Sequence, residues 1–175
     1  MNLEIYEGYA AEIINVLAAI KPEAVPDNRN ASWTRKIKED IGAIGKKHEF
    51  SVCASGFRGE FEGEWLYDMI WYRNNVNERL ESVPLVLESE WDLDYFGIRF
   101  DFEKLLIANS PLKVMIFQND GDTVEAIFEK LKYGINEYIF EVSGIYILAC
   151  YRWDKRKFEI KKYRKEPYKV AELMP

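Results

Sequence analysis

Two neighbouring stretches carry carboxylates where a half-buried strand needs apolar residues, and no other feature restricts the fold as much. The first is Glu64-Trp65-Leu66-Tyr67-Asp68-Met69-Ile70-Trp71-Tyr72 and the second Val83-Pro84-Leu85-Val86-Leu87-Glu88-Ser89-Glu90-Trp91. Side chains alternate across a strand, so Glu88 and Glu90 share a face with Val86, while Leu85, Leu87, Ser89 and Trp91 take the other. Asp68 falls with Leu66 and Ile70, again an acid among hydrophobes. Paired strands would bring the three acids together, and converging carboxylates repel unless a cation or proton lies between them. The spacing therefore predicts a divalent-metal site. The structural alternative places Glu88 and Glu90 on a solvated strand face, with Asp68 paired to an arginine.

The rest of the chain supplies helices and further strands around this pair. Apolar residues at three- and four-residue steps predict an amphipathic helix over 3–20, ended by Lys21-Pro22, and a loop over 22–30. A second helix is expected over 32–47, with Trp33, Ile37, Ile41 and Ile44 on one stripe and Arg35, Lys36, Lys38, Glu39, Lys46 and Lys47 on the other side. Three strands follow at 50–57, 64–72 and 83–91. Turn signals at Arg58-Gly59 and Glu62-Gly63 separate the first two, and the polar stretch 73–81 joins the second to the third. Connections this short suit antiparallel neighbours.

After Trp91 the period changes to 3.6, with Ile98, Phe102, Leu105 and Leu106 on one helix face. The near-continuous apolar run 112–117 reads as a buried central strand. Asp122-Thr123-Val124-Glu125 reads as a capping box opening a helix to about residue 138. Gly144 begins a last core strand, 145–151, and 152–163 alternates Trp153, Phe158, Ile160 and Tyr163 with basic residues, as an exposed hairpin or edge would. Strand-helix-strand crossovers after the third strand imply parallel pairing there. The expected architecture is α/β: one mixed central sheet flanked by helices.

Bulk properties exclude several function classes. A chain of 175 residues suits a single domain. Cys53 and Cys150 sit in separate apolar runs without CxxC spacing, which argues against structural zinc and disulfides and for a reduced, cytoplasmic setting. No run reaches the ~18 apolar residues of a membrane span, and the start lacks a signal-peptide pattern, so no membrane partner is expected. Net charge is −6, but residues 151–175 carry a local charge of +5, leaving −11 on residues 1–150. That tail reads equally as a polyanion contact or as lysine protection of a sheet edge. His48, the one histidine, follows Lys46-Lys47 at a helix end and reads as a cap or surface residue. Trp65, Tyr67, Trp71 and Tyr72 read as sheet packing. One histidine and two separated cysteines give triad and zinc chemistry little support, and no Walker or Rossmann glycine pattern is present.

A helix, a three-strand meander with an Asp in the second strand and an acid-x-residue pair in the third, then helix and strand, resembles the core of the PD-(D/E)xK, or restriction-endonuclease-like, nucleases. The resemblance covers roughly residues 32–151. It implies an αβββαβ core over 31–151, preceded by an extra helix and loop (1–30) and followed by a basic β-ribbon extension (152–175). It assigns Asp68 as first metal ligand, Glu88 as second and Glu90 to the position usually held by lysine, with a backbone-carbonyl ligand from Ser89. Glu90 there departs from the family pattern; Lys104, in Asp101-Phe102-Glu103-Lys104, is the substitute, and Glu39 on the second helix is a further acid.

This resemblance implies Mg²⁺- or Mn²⁺-dependent phosphodiester hydrolysis of nucleic acid, DNA before RNA, with Glu90 orienting a water, binding a second ion or acting as base. Candidate phosphate contacts are the second helix, Arg58, Arg73 and the C-terminal ribbon. A homodimer is compatible with it. The alternatives are a nuclease-like binding or assembly protein without turnover, motivated by the missing motif lysine and the acidic body, and an acidic nucleic-acid mimic.

Overall fold

The computed structural model describes residues 3–54, 63, 65–139 and 143–165. Its elements run α1 (Glu4–Ala19), α2 (Asn30–Lys47), β1 (Ser51–Ala54), β2 (Met69–Asn74), β3 (Leu80–Glu90), α3 (Tyr95–Ile107), β4 (Leu112–Gln118), α4 (Thr123–Glu137), β5 (Gly144–Arg152) and β6 (Lys157–Lys165), with two short 3-10 turns between α1 and α2. One six-stranded mixed sheet follows chain order from β1 to β6. The first three strands form an antiparallel meander, β3, β4 and β5 are parallel, and β6 returns antiparallel to β5.

Burial explains the order. Every residue of β4 and β5 is buried, as expected for central strands covered on both faces. The two crossovers, through α3 and α4, join parallel neighbours, and both helices pack on one face of the sheet. There Val86, Met115 and Leu148 meet Ile98, Phe102, Leu105, Phe128 and Leu131. On the other face Leu85, Leu87, Val114 and Ile147 meet Ala10, Ile13 and Leu17 of α1 and Trp33, Ile37 and Ile41 of α2. No helix is long and apolar enough to cross a membrane among the described residues.

Several expected boundaries move, each for a local reason. The second strand begins at Met69 rather than at Glu64, which lies outside the described residues. Before it, Trp65 and Tyr67 form a bridge of their own, and Leu66 sits at φ 65° with 77% of its surface exposed. A left-handed residue breaks the two-residue alternation, so Leu66 does not share an inward face with Asp68 and Ile70. The first strand is described as Ser51–Ala54; residues 55–57, Arg58-Gly59 and Glu62 lie outside the described residues. Much of the polar stretch 73–81 belongs to the β2–β3 ladder, leaving a tight turn at 75–79. Its bonds are internal: Asn75 N–H donates to Arg79 O (2.8 Å), and the Asn75 side chain accepts from Asn77 N–H (2.9 Å) and Arg79 N–H (3.2 Å).

The capping box does not form at α4. Asp122 makes no capping bond, while Thr123 Oγ donates to Asn119 Oδ1 (2.7 Å) and Asp120 O (2.9 Å), and Glu125 pairs with Lys161 of β6. Strand and helix are thus bound by cross-element charges rather than by a local cap.

Candidate functional site

The site grows from the carboxyl end of β3. Alternation sends Val86, Glu88 and Glu90 toward α3, and Leu85, Leu87 and Ser89 toward α1 and α2. Glu88 is 2% exposed, a carboxylate at the margin of the apolar layer. From α3, Lys104 reaches its Oε1 at 2.7 Å and also holds Asp101 Oδ1 at 2.9 Å, three residues back on the same helix. Burial pushes the Glu88 carboxyl pKa up to about 7, against the opposing pull of the Lys104 ammonium; the charges of Asp68 and Asp101 add to the rise. For Lys104 burial acts downward, but the bonds to Glu88 and Asp101 outweigh it and its pKa is raised. Tyr67 OH donates to Lys104 O at 3.5 Å, and burial followed by the charge of Glu88 raises its pKa.

Asp68 stands one residue before β2, where that strand parts from β3. Its Oδ2 accepts from Ser89 N–H and Ser89 Oγ–H, both at 2.8 Å, and its Oδ1 accepts from Lys38 Nζ at 3.1 Å. Lys38, on α2, is 2% exposed. Ser89 and Lys38 belong to the α1/α2 face of the sheet and Lys104 to the α3 face. Of the three acids expected to converge, Asp68 and Glu88 lie at the same end of β3, where the charge of Asp68 adds to the rise in the Glu88 pKa, and each is paired with a lysine from a different helix. Glu90 turns along the chain instead, its Oε1 accepting from Asp92 N–H at 2.7 Å and its Oε2 lying 3.1 Å from where a Cβ on Gly97 would stand. Among the described residues no three His, Cys, Asp or Glu side chains are grouped to hold a metal ion.

Glu39, the further acid expected on α2, is exposed. Its neighbour Lys38 points inward in its place, although its position among charged residues had put it on the polar side of the helix. The signal was available: Lys38, Gly42 and Gly45 recur at four and three residues and, with Ile41, are all buried. Small residues along a helix let the sheet approach, and a lysine on the same line is carried in with them.

Against family models, curated proteins and solved structures, the chain finds no match. The site is accordingly read from its own residues.

The cations expected to meet phosphate are largely engaged within the molecule. Lys162 pairs with Glu7 (2.6 Å), Lys161 with Glu125, and Arg156 with Glu23. Arg152 is held by Asp154 (2.6 Å) and Glu159 (3.2 Å), and Lys165 Nζ donates to the carbonyls of Ile135 and Tyr138 at the end of α4. On α2, Lys36 pairs with Asp40 and Lys47 with Glu12; His48, at the helix end, meets the other oxygen of Glu12 at 2.8 Å. The Arg73 guanidinium lies over the Phe50 ring at 4.9 Å. Arg58 and residues 166–175 lie outside the described residues. The described part of the ribbon, 157–165, is an edge strand tied down by charge to α1 and α4.

Proposed function

We propose that the chain is a divalent-metal-dependent phosphodiesterase acting on nucleic acid, DNA before RNA, on a PD-(D/E)xK-like core. The observation that carries the reading is the 2.7 Å pair between buried Glu88 and Lys104. It puts a lysine from the next helix beside the motif acid of β3, where Glu90 stands in the strand position that usually holds one. Asp68 lies at the same end of β3, and its charge is felt at Glu88.

The donor set is hard oxygen, which suits Mg²⁺ or Mn²⁺. Bound by Asp68 and Glu88, such an ion supplies Lewis acidity beside the phosphorus. The arrangement asks it to compete with two ammonium groups, Lys38 and Lys104, for these oxygens. Lys104, released from Glu88, keeps its proton and offers it to a non-bridging phosphate oxygen. Glu90, partly exposed next to this pair, has the reach to orient a water. Glu88 has to be ionised to act as a ligand, so turnover rises as pH passes about 7.

The test is cleavage of single- and double-stranded DNA and RNA with Mg²⁺ or Mn²⁺, comparing wild type with Asp68→Ala, Glu88→Ala and Lys104→Ala. Loss of about 100-fold or more in each variant is expected, with circular dichroism unchanged. Cleavage that survives in Asp68→Ala and Glu88→Ala rules the proposal out.

A second reading is a binding or assembly protein without turnover. It is favoured by one feature: both carboxylates already have a lysine partner, as a purely structural polar layer would have. It predicts no saturable Mn²⁺ binding by calorimetry at pH 8 and no cleavage.

A further inference from the structure

Lys104 is held twice, and the two holds differ in kind. One bond crosses from α3 to the sheet, where Nζ meets Glu88 Oε1 at 2.7 Å. The other stays within the helix, to Asp101 Oδ1 at 2.9 Å, one turn earlier on the same side. Exposure grades outward along this chain of charges: the Glu88 side chain is 3% exposed, Asp101 18% and Lys104 34%. Elsewhere on α3, Arg99 and Glu103 make an ordinary surface pair at 2.6 Å, both side chains about half exposed. Asp101 differs from them because the ammonium it holds is shared with a buried carboxylate of another element.

From this we propose that Asp101 is a positioning residue for Lys104: it keeps the ammonium when a divalent cation claims Glu88, and so sets how readily that cation enters. The proposal rests on the phosphodiesterase reading of the site. Mg²⁺ or Mn²⁺ at Glu88 must first displace Lys104, since both seek the same carboxylate. Release leaves a partly buried ammonium beside a dication, which is costly unless a counter-charge stays with it. Asp101 is already in contact, and its bond depends on α3 alone, so neither the strand nor the helix has to move. An ammonium has three donors. With one kept on Asp101, another is left to meet a phosphate oxygen.

The charge of Asp101 also reaches Glu88 directly, adding to the rise in its pKa. A field of that kind would draw a cation in whether or not Lys104 were present. Action through Lys104 disappears once the ammonium is gone, so the two effects are separable.

The test is calorimetric titration of the protein with Mn²⁺ at pH 8, in a double-mutant cycle of Asp101→Asn and Lys104→Met. With Lys104 present, Asp101→Asn should weaken Mn²⁺ binding by about tenfold. In the Lys104→Met background the same substitution should change it by no more than about twofold. Asp101→Glu keeps a carboxylate at the same helical spacing and should bind Mn²⁺ like wild type. At saturating Mn²⁺, cleavage of a labelled DNA strand should be about tenfold slower in Asp101→Asn and restored in Asp101→Glu. Circular dichroism verifies that each variant folds.

Equal loss of affinity in both backgrounds would make Asp101 a ligand or a bare charge and overturns the proposal. So does an Asp101→Asn variant that binds Mn²⁺ like wild type. Coupling between the two positions in Mn²⁺ binding, without cleavage of any nucleic acid, supports the positioning role while removing the phosphodiesterase reading. Cleavage that is lost in Asp68→Ala and Glu88→Ala but unchanged in Asp101→Asn overturns the positioning role alone. Wild type that takes up no Mn²⁺ removes both.

Discussion

At the scale of single residues, Glu88 carries the most consequence. Its folded pKa of about 7 exceeds the ordinary 4.5, so the folded chain holds that proton more tightly than the unfolded one. Folding stability therefore falls as pH rises from about 4.5 to 7, with the full loss reached above 7. The side chain is 3% exposed, and the size of the shift corresponds to roughly 3 kcal/mol. Glu88→Gln has no proton to lose, so urea unfolding at pH 5 and pH 8 should show wild type losing up to that amount relative to the variant. A gap between the two proteins that is the same at both pH values would mean that ionised Glu88 costs the fold nothing. The acid itself was legible in the sequence, because a carboxylate beside Val86 at strand spacing is conspicuous. Its partner was legible too, as Lys104. Lys38 was masked by its charged neighbours, its one sign being the line it shares with Gly42 and Gly45, and Leu66 left the expected face because it adopts a left-handed backbone that no residue-type pattern announces there.

Elements follow their patterns closely wherever burial is one-sided or complete. The apolar stripes of α1, α2 and α4 and the unbroken run of β4 were readable because packing selects those spacings directly. The meander was readable for the same reason, but its short connections were not, since Arg73 and Asn74 extend a ladder although their side chains face solvent. Glycines divide the helices by what surrounds them. In α2, a Cβ on Gly45 would stand 2.7 Å from Trp71 Nε1 and 2.8 Å from Cε2, inside a ring system that is itself fully buried. Gly45→Ala should therefore destabilise by about 1–3 kcal/mol, although alanine is the better helix former. In α1, Gly8 has nothing within 4 Å, and Gly8→Ala should stabilise by about 0.5–1 kcal/mol. Chemical denaturation of both variants measures this; Gly45→Ala at or above wild-type stability would show that α2 can lift from Trp71 without cost.

Across the whole molecule, both apolar layers are built on one sheet, and β3, β4 and β5 contribute side chains to each. Neither layer keeps its strands if the other is lost. Tryptophan fluorescence, reporting mainly on Trp33, Trp71 and Trp91 in the α1/α2 layer, should lose its folded signal at the same temperature as far-UV circular dichroism. Transitions several degrees apart would mean that the layers unfold separately. The ion pairs between β6 and the helices Glu7 and Glu125 belong to are solvent-accessible, so each contributes at most about 1 kcal/mol. Their role is better described as tying down an edge strand whose lysines themselves oppose pairing with another chain.

The tight turn at 75–79 has a practical use. Val76 at its tip is 97% exposed, and the bonds that shape the turn come from Asn75, Asn77 and Arg79 themselves. A dye or short epitope spliced there would ride on a short rigid stalk, reporting how the particle tumbles and what it meets while leaving both faces of the sheet undisturbed.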